Sequence, residues 1–425
     1  DTADLKCWGY GPYGQLGTDS GANIGDSPGK MAVLEPVWLG EGRTAVAVTS
    51  GREHTCVILD TADLKCFGRG DKGERGDDSS VTSVGNQPGD MASLGTVWLG
   101  EGRTAVAVSA AADSTCSILD NADLKCWGEG ESGQLGYDST DNKGDEVGEM
   151  ASLGTVWLGE GRTAVAVSSG EAFRCAILDS ADLKCWGINA YGQLGYDSTD
   201  DKGDEAGEMA SLGTVWLGEN RTAVAVAAGH FHTCVILDDA SVKCWGRNDY
   251  GQLGYDSTDS KGDQSGEMAS LGTVWLGEGR TAVSIAAGQY HTCVVLDQGE
   301  LKCWGLNENG RLGYDSTDTK GNQAGDMASL GTVSLEHEIA QCDAPPVQSP
   351  PSPESPEPSP PPPPSPNMPE PSPPPPSPPP PTPSPPPPAP LPPPPTPSPP
   401  PPTPSPPPPS TPDQSSPPPA AATVE

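Results

Sequence analysis

Short apolar runs separated by polar turns recur along about the first 340 residues of the chain. One period contains AVAVSSG at 164–170, CAILD at 175–179, LKCWG at 183–187 and TVWL at 214–217. Each run is short, rich in β-branched or aromatic residues and bounded by Gly, Asp or Ser, which is the pattern of a β-strand. No segment keeps a 3.6-residue apolar period, and no run approaches the roughly 18 apolar residues of a membrane-spanning helix. The pattern predicts an all-β fold with few helices and no membrane span.

The strand pattern repeats with a fixed period. Successive Cys-Trp-Gly or Cys-Phe-Gly motifs are 59 or 60 residues apart, with their cysteines at Cys7, Cys66, Cys126, Cys185, Cys244 and Cys303. Four short strands per period are typical of one propeller blade. We therefore predict a β-propeller of about 59-residue, four-stranded blades over residues 1–342, with a half-blade at each end. The five complete blades begin near Thr44, Thr104, Thr163, Thr222 and Thr281.

The two half-blades leave two interpretations of how the propeller closes. Because the chain begins inside a hairpin without an initiator Met, we expect an N-terminal portion to be missing. The alternative is a blade shared between the two ends, with an inner strand supplied by His337–Cys342.

Each hairpin carries one cysteine in each arm, ten positions apart, as in HTCVILDTADLKCFG at 54–68. Directly opposed side chains of a hairpin lie about 5 Å apart, so each pair is placed to form a disulfide. The predicted pairs are Cys56/Cys66, Cys116/Cys126, Cys175/Cys185, Cys234/Cys244 and Cys293/Cys303. Zinc is the weaker interpretation, because one thiolate per arm without a regular Cys-x-x-Cys does not build a four-ligand site. Five disulfides predict an oxidising compartment. Cys7 and Cys342 remain: they pair with each other, or Cys7 lacks its partner.

The motifs CWGINAYGQLGYDS at 185–198 and GHFHTCVILD at 229–238 resemble the repeat of the regulator of chromosome condensation family over residues 1 to about 340. The resemblance implies a propeller, seven-bladed in that family, and guanine-nucleotide exchange on a small GTPase as an alternative function. Near-identical loops in successive repeats argue against exchange, which needs one specialised edge. The hairpin cysteines depart from the nuclear members of the family and argue against a nuclear role.

Residues 343–425 form a second region of Ser-Pro runs such as SPPPPPSPNMPEPSPPPPSPPPP. Proline removes the backbone donor and fixes φ, so this region is predicted to be a disordered or polyproline II tail without a core. It resembles the hydroxyproline-rich glycoproteins of plant and green-algal walls, such as pherophorins and extensins. That resemblance implies hydroxylation, O-glycosylation and a secreted protein of the cell wall or extracellular matrix. An unmodified linker, or a ligand for proline-binding domains, is the alternative.

The net charge of the chain is −35, and the tail contains no Lys or Arg. An acidic surface repels phosphate backbones and anionic membranes, so we expect no nucleic-acid partner. The expected partner is a protein or a cell-wall polysaccharide of unknown identity.

The loops of the type YDSTDNKGDEVGEM are the most acidic recurring feature. Clustered carboxylates bind Ca²⁺, and the candidate ligands are Asp138, Asp141, Asp145, Asp197, Asp200 and Asp204. The register does not match an EF-hand, and turn-forming Asp, Ser and Gly on a solvated edge are the favoured explanation. A calcium- or carbohydrate-binding lectin is retained as an alternative function.

Catalytic chemistry is not indicated by the sequence. His54, His232 and His291 occupy equivalent positions that other repeats fill with Ser114 or Phe173, whereas a catalytic histidine is normally unique. No phosphate loop or nucleophile elbow occurs, and we expect neither enzymatic activity nor a cofactor. Ten tryptophans in two repeating rows are predicted to pack between blades, and Asn220 begins the one N-glycosylation sequon. The leading hypothesis is a secreted, disulfide-linked binding propeller on a glycosylated stalk.

Overall fold

The computed structural model describes residues 3–334. The chain divides into two units, Asp1–Cys342 and Asp343–Glu425. The predicted polyproline tail and the closing segment His337–Cys342 lie outside the described residues, as does any bond to Cys342. Within the described range, no helix is both long and apolar enough to cross a membrane.

Residues 45–305 contain five antiparallel sheets that follow one another along the chain. The first sheet has four strands and the other four have three. The strands of the first two sheets are β1 (Ala45–Ser50), β2 (His54–Leu59), β3 (Leu64–Arg69), β4 (Ser83–Val84), β5 (Ala105–Ala111), β6 (Ser114–Leu119) and β7 (Leu124–Gly128). Those of the other three are β8 (Ala164–Ser169), β9 (Phe173–Leu178), β10 (Leu183–Gly187), β11 (Ala223–Ala228), β12 (His232–Leu237), β13 (Val242–Gly246), β14 (Ala282–Ala287), β15 (His291–Leu296) and β16 (Leu301–Gly305).

The register of each hairpin places its two cysteines opposite each other. In the first sheet Cys56 pairs with Cys66 across β2 and β3, and Ala62 takes a left-handed conformation (φ 63°) in the connecting turn. All five predicted pairs form disulfides, with Sγ–Sγ distances of 2.10 to 2.14 Å. The middle strands of the first four sheets are buried along their whole length, so these bonds lie in the core of the blade, and in the fifth sheet Cys303 is 2% exposed while Cys293 is half-buried.

The outer edge of each blade differs from the predicted fourth strand. The TVWL segments form only single backbone contacts, such as the Val156 amide donating to the Leu124 carbonyl at 2.8 Å. The segment ends at Gly159, whose φ of 126° is outside the strand region. A second contact joins Gly128 to Lys143 in the acidic loop. In four blades, single hydrogen bonds and isolated bridges therefore replace a regular strand at this edge, whereas the first blade has the two-residue strand β4, which lies outside its TVWL segment.

Each acidic loop ends in a single helical turn. The α-helical turns are α1 (Asp90–Ser93), α2 (Glu149–Ser152), α3 (Glu208–Ser211), α4 (Glu267–Ser270) and α5 (Asp326–Ser329), and 3₁₀ turns occur at Lys30–Val33 and Glu308–Gly310. The second residue of each α-turn is a methionine that is at most 2% exposed, for example Met150. These turns therefore anchor the acidic loops onto the blades.

The two rows of tryptophans have different environments. Trp127, Trp186, Trp245 and Trp304 are fully buried, and each indole N–H donates to a backbone carbonyl of the preceding repeat at 2.9 to 3.1 Å. The second row, in TVWL, is 50 to 52% exposed. Packing between blades therefore applies to the first row only. Trp8 belongs to the first row but is 62% exposed in the half-repeat that opens the chain.

Candidate functional site

The two ends of each blade carry different loops. One end carries the connection between the first two strands of each blade and the loop that follows the third strand; we call it the variable face. The opposite end carries the Leu-Gly-Glu-Gly-Arg-Thr loops and the tight turns between the second and third strands; we call it the constant face. The names refer to the residues between the first two strands, which differ from repeat to repeat, and to the Leu-Gly-Glu-Gly-Arg-Thr loops, which are nearly invariant; the tight turns vary at Thr61 and its equivalents.

The constant face is built from the same contacts in every repeat. An arginine of each loop pairs with the aspartate that ends the second strand at 2.7 to 3.4 Å. In the second repeat these residues are Arg103 and Asp120. The turn alanine also joins the blades, because the Ala62 carbonyl accepts the Ala105 amide at 2.9 Å. This end therefore links consecutive blades.

The variable face surrounds the mouth of a central cavity of 480 Å³. Five equivalent positions, one from each blade, line this mouth: Arg52, Ala112, Glu171, His230 and Gln289. The next position along the chain also differs in every repeat and is filled by Glu53, Asp113, Ala172, Phe231 and Tyr290. The mouth is therefore asymmetric although the backbone around it repeats.

One half of the variable face is a charged network. Arg52 contacts Asp113 at 3.0 Å and also pairs with Glu171, two blades away along the chain. The Nε2 atom of His230 lies 3.2 Å from Glu171. The hydrogen bond from His230, together with the charge of Arg52, holds the pKa of Glu171 below its usual value. Lys72 joins the network through Asp113 at 3.3 Å. Residues of four repeats are thus connected across the mouth.

The other half is an aromatic cluster, defined as Tyr191, His230, Phe231, Arg247, Tyr250 and Tyr290. The ring centroids of Tyr191 and Phe231 are 5.4 Å apart, and those of Tyr250 and Tyr290 are 5.3 Å apart. The guanidinium of Arg247 lies 4.9 Å from the Tyr191 ring centroid and 5.5 Å from that of Tyr290. All six side chains are half-buried, so their rings are ordered against each other while one side faces solvent.

The repeated histidines lie beneath this face and have a structural role. The Nε2 atom of His54 is 2.8 Å from the Thr115 hydroxyl of the next blade, and that of His232 is 3.0 Å from the Thr292 hydroxyl. Burial lowers the pKa of His54 to about 4 and that of His232 to about 3. Both imidazoles are therefore neutral at physiological pH and connect neighbouring blades.

The structure places the six candidate calcium ligands in different environments. The carboxylate of Asp138 accepts the Met209 amide at 2.8 Å and the Gly207 amide at 2.9 Å in the following repeat. Asp197 makes the equivalent bonds one repeat further on. Asp141 is exposed, and burial raises the pKa of both Asp145 and Asp204. The backbone carbonyl of Asp200 accepts a hydrogen bond from a buried asparagine amide. Within residues 3–334, no group of three or more acidic, His or Cys side chains is arranged to hold a metal ion.

The surroundings of Asn220 and of Arg75-Gly76-Asp77, a triplet whose sequence could suggest integrin recognition, assign both to local roles. Asn220 is exposed and has a φ of 56°, at a position that the other repeats fill with glycine. Arg75 is fully buried and contacts Asp77 at 2.9 Å, so the triplet is a structural turn.

The residues of the variable face were not singled out from the sequence. The loops were treated as near-identical because the Gly-Gln-Leu-Gly and acidic segments dominate any comparison of repeats. The signal was nevertheless present: Arg52, Glu171 and His230 occupy one aligned position and share no chemistry. Reading repeats position by position would have found them.

Comparison with known proteins agrees with the repeat and with the fold. Residues 223–252 and 282–311 match the model of the regulator of chromosome condensation (RCC1) repeat. The chain is 26% identical over 322 residues to the human E3 ubiquitin-protein ligase HERC2, which covers 75% of this chain and 6% of that protein. It is 24% identical over 336 residues to the ultraviolet-B receptor UVR8 of Arabidopsis thaliana, covering 79% of this chain and 68% of the receptor. The chain thus spans only a small part of HERC2.

Two solved structures resemble the fold. Yeast RCC1 (Prp20), solved bound to Kap60, has a TM-score of 0.56 at 17% identity, covering 79% of this chain and 71% of that one. Prp20p of Saccharomyces cerevisiae, solved in a study of its binding to Gsp1p and histones, has a TM-score of 0.56 at 18% identity, covering 80% and 74%. The described residues therefore form RCC1-like propeller blades of three to four antiparallel strands.

Proposed function

We propose that this chain is a non-enzymatic binding protein of the cell wall or extracellular matrix, which recognises a protein partner through the variable face. The observation that carries the proposal is that equivalent positions at the mouth of the variable face differ in chemistry from blade to blade and together form the charged network and the aromatic cluster.

The chemistry of the face favours a protein as the partner. Tyr, Phe and Arg are enriched in protein interfaces, because they bury large areas at little cost in conformational entropy. Charges of both signs lie beside the aromatic cluster and can be matched by a complementary surface. The network of Arg52, Asp113 and Glu171 holds its side chains in place before binding, which lowers the entropy lost on association.

The compartment is argued from the cysteines and from the tail. A disulfide in each of five blades is unusual for a protein kept in a reducing cytosol. The Ser-Pro tail resembles wall glycoproteins, and the exposed Asn220 sequon is accessible to glycosylation. The tail would then act as a stalk for the propeller.

Two alternative functions are supported by fewer observations. Guanine-nucleotide exchange is supported by likeness of fold and by a relative studied for binding to Gsp1p. A carbohydrate-binding lectin is supported by the aromatic rings, which can also stack on sugars.

The test uses the full chain as bait and a matched pair of triple variants. The first replaces Tyr191, Phe231 and Tyr290 with Ala on the variable face; the second replaces the exposed Glu101, Glu160 and Glu278 with Ala on the constant face. Each bait is immobilised, and bound protein from a matrix extract is quantified by mass spectrometry. We expect partners retained by the wild type and the constant-face variant to fall at least about tenfold with the variable-face variant.

Three results would contradict the proposal. If both variants lost the bound partners equally, the loss would reflect a general defect of the protein. If both variants retained the partners as well as the wild type does, the variable face would not be the binding surface. Retention of purified wall polysaccharide in place of protein would favour the lectin. Circular dichroism and thermal melting of each variant exclude unfolding as the cause.

The compartment has its own test, peptide mass spectrometry of the native protein without reduction. Linked Cys56 and Cys66 peptides together with hydroxylated or glycosylated tail peptides are the expected result. Free thiols and an unmodified tail would overturn the extracellular assignment and make the exchange assay the next experiment.

A further inference from the structure

Four repeats close the outer edge of the blade with a half-buried tyrosine. These residues are Tyr137, Tyr196, Tyr255 and Tyr314. In the second repeat the Tyr137 hydroxyl accepts the Cys126 amide at 3.1 Å and donates to the Gly154 carbonyl at 3.3 Å. Burial raises the pKa of this phenol, so it stays protonated and able to donate. The ring packs against the core cluster, and its hydroxyl bonds at Cys126, between the hydrogen bond at Leu124 and the isolated bridge at Gly128.

The repeat that opens the chain has Thr18 in place of this tyrosine. Its backbone is otherwise unchanged: the Gly9 amide reaches the Ile24 carbonyl and the Val37 amide reaches the Leu5 carbonyl, both at 2.8 Å, as the equivalent amides do in the second repeat. The neighbouring Asp19 has a φ of 53° against 55° for Asp138. Asp19 also accepts the Met91 amide at 2.8 Å, as Asp138 accepts that of Met209. The backbone that surrounds the tyrosine ring in the other repeats is therefore present here, although the ring is absent.

A cavity of 430 Å³ lies at this place. Leu34 and Met91 form its buried wall, and the Thr18 hydroxyl is buried without a hydrogen-bond partner. A pocket of 300 to 1,000 Å³ is the usual size for a small organic ligand. The related position in the next repeat holds the charged Asp77, beside a cavity of only 240 Å³.

The lining of the cavity has changed together with the tyrosine. Three polar residues of the second repeat, Lys143, Ser152 and Thr155, are replaced by apolar ones at the equivalent positions of this repeat. The replacements are Ile24, Val33 and Pro36, and all three line the cavity. Glu35 in place of Gly154 is a polar gain in the lining, but more polar side chains are lost than gained, and we take this net change as pointing to a ligand.

We propose that the opening repeat binds a small phenol, which takes the position of the missing tyrosine side chain. The ring would lie against Leu34 and Met91. The hydroxyl would donate to the Glu35 carbonyl, which replaces that of Gly154, and accept the Cys7 amide, which replaces that of Cys126. The site shares no residue with the variable face and does not depend on the proposed function.

The first experiment is calorimetric titration of the full chain with 4-methylphenol, which is the tyrosine side chain as a free molecule. We expect one site with a dissociation constant of about 0.1 to 1 mM, which is within the range for so few atoms. Toluene has the same shape without the hydroxyl and should bind at least about tenfold more weakly, because it cannot form the two hydrogen bonds to the Glu35 carbonyl and the Cys7 amide. Equal affinity for toluene would overturn the assignment of the hydroxyl, and no detectable binding of 4-methylphenol would overturn the site.

Two variants test the location of the site. Thr18→Tyr restores the residue of the four other repeats and should abolish binding while raising the melting temperature. The combined Ile24→Lys, Val33→Ser and Pro36→Thr variant restores the more polar lining without filling the cavity, and it should weaken binding about tenfold or more. Wild-type affinity in either folded variant would place the ligand elsewhere and contradict the proposal.

Discussion

The variable face and the constant face belong to the same blades, yet they use their residues in opposite ways. On the constant face, Ala62 and its equivalents bond to the next blade, and Arg103 and its equivalents hold the loops to their own blade. On the variable face, the backbone keeps its contacts, such as the Arg52 amide to the Ala112 carbonyl at 2.9 Å, while side chains such as Arg52 and Tyr290 differ from blade to blade. Function can therefore diverge at one end while the other preserves the assembly.

The largest expected effect comes from the packing that both faces share. Trp186→Ala should lower the free energy of unfolding by about 3–5 kcal/mol, because a fully buried indole and its hydrogen bond to the preceding repeat are lost. Trp157→Ala is the matched control, since the same side chain is 50% exposed there and should cost about 1 kcal/mol or less. Denaturant unfolding followed by circular dichroism measures both. Equal costs would contradict the separation of the two tryptophan rows.

Low pH should weaken the contacts that the buried histidines make between blades beneath the variable face. The pKa of His54 is lowered to about 4 in the folded state, whereas an unfolded histidine titrates near 6.5. The unfolded chain therefore takes up the proton first, and stability falls as pH falls from about 6.5 toward 4, by about 1.4 kcal/mol per pH unit for each such histidine.

The matched variant is His54→Ser, which copies Ser114 of the second repeat. Between pH 7 and pH 5, the free energy of unfolding of this variant should fall by about 2 kcal/mol less than that of the wild type. Thermal melting across that range provides the measurement, and an unchanged pH slope would show that His54 titrates normally.

A smaller effect is expected at the link between one acidic loop and the next. Asp138→Ala leaves the Met209 and Gly207 amides without their carboxylate and should cost about 1.5 kcal/mol. Asp141→Ala in the same loop removes an exposed carboxylate and should cost about 0.5 kcal/mol or less. Denaturant unfolding with and without Ca²⁺ compares them. A calcium-dependent difference would restore the loop as a metal site.

The smallest effect on stability should accompany a large effect on binding. Arg52 is half-exposed, so Arg52→Ala should lower the free energy of unfolding by about 1 kcal/mol or less, and Arg103→Ala on the constant face by a similar amount. Only Arg52→Ala should weaken partner retention. If Arg103→Ala weakened it equally, the two faces would not differ in function.

The local elements of this protein were predictable because their causes are local. Alternation of apolar and polar residues predicted the first three strands of each blade, and the ten-residue spacing placed Cys56 opposite Cys66 because a hairpin brings its arms together. The fourth strand was wrong in most blades, since TVWL is too short and is stopped by residues such as Gly159. Both tryptophan rows have the same spacing, so periodicity alone did not distinguish the buried row from the exposed one.

The sequence by itself determined the repeat, its period, the strand-forming segments and the cysteine pairs, all of which depend on residues close together along the chain. Only the tertiary structure decided which side chains of different repeats meet. Asp138 contacts residues about 70 positions away, and Arg52 pairs with Glu171 at a separation of 119 residues. The cavity beside Thr18 depends on both the sequence and the tertiary structure. The replacement of tyrosine by threonine is visible in the sequence, but the unfilled space depends on how the outer edge packs.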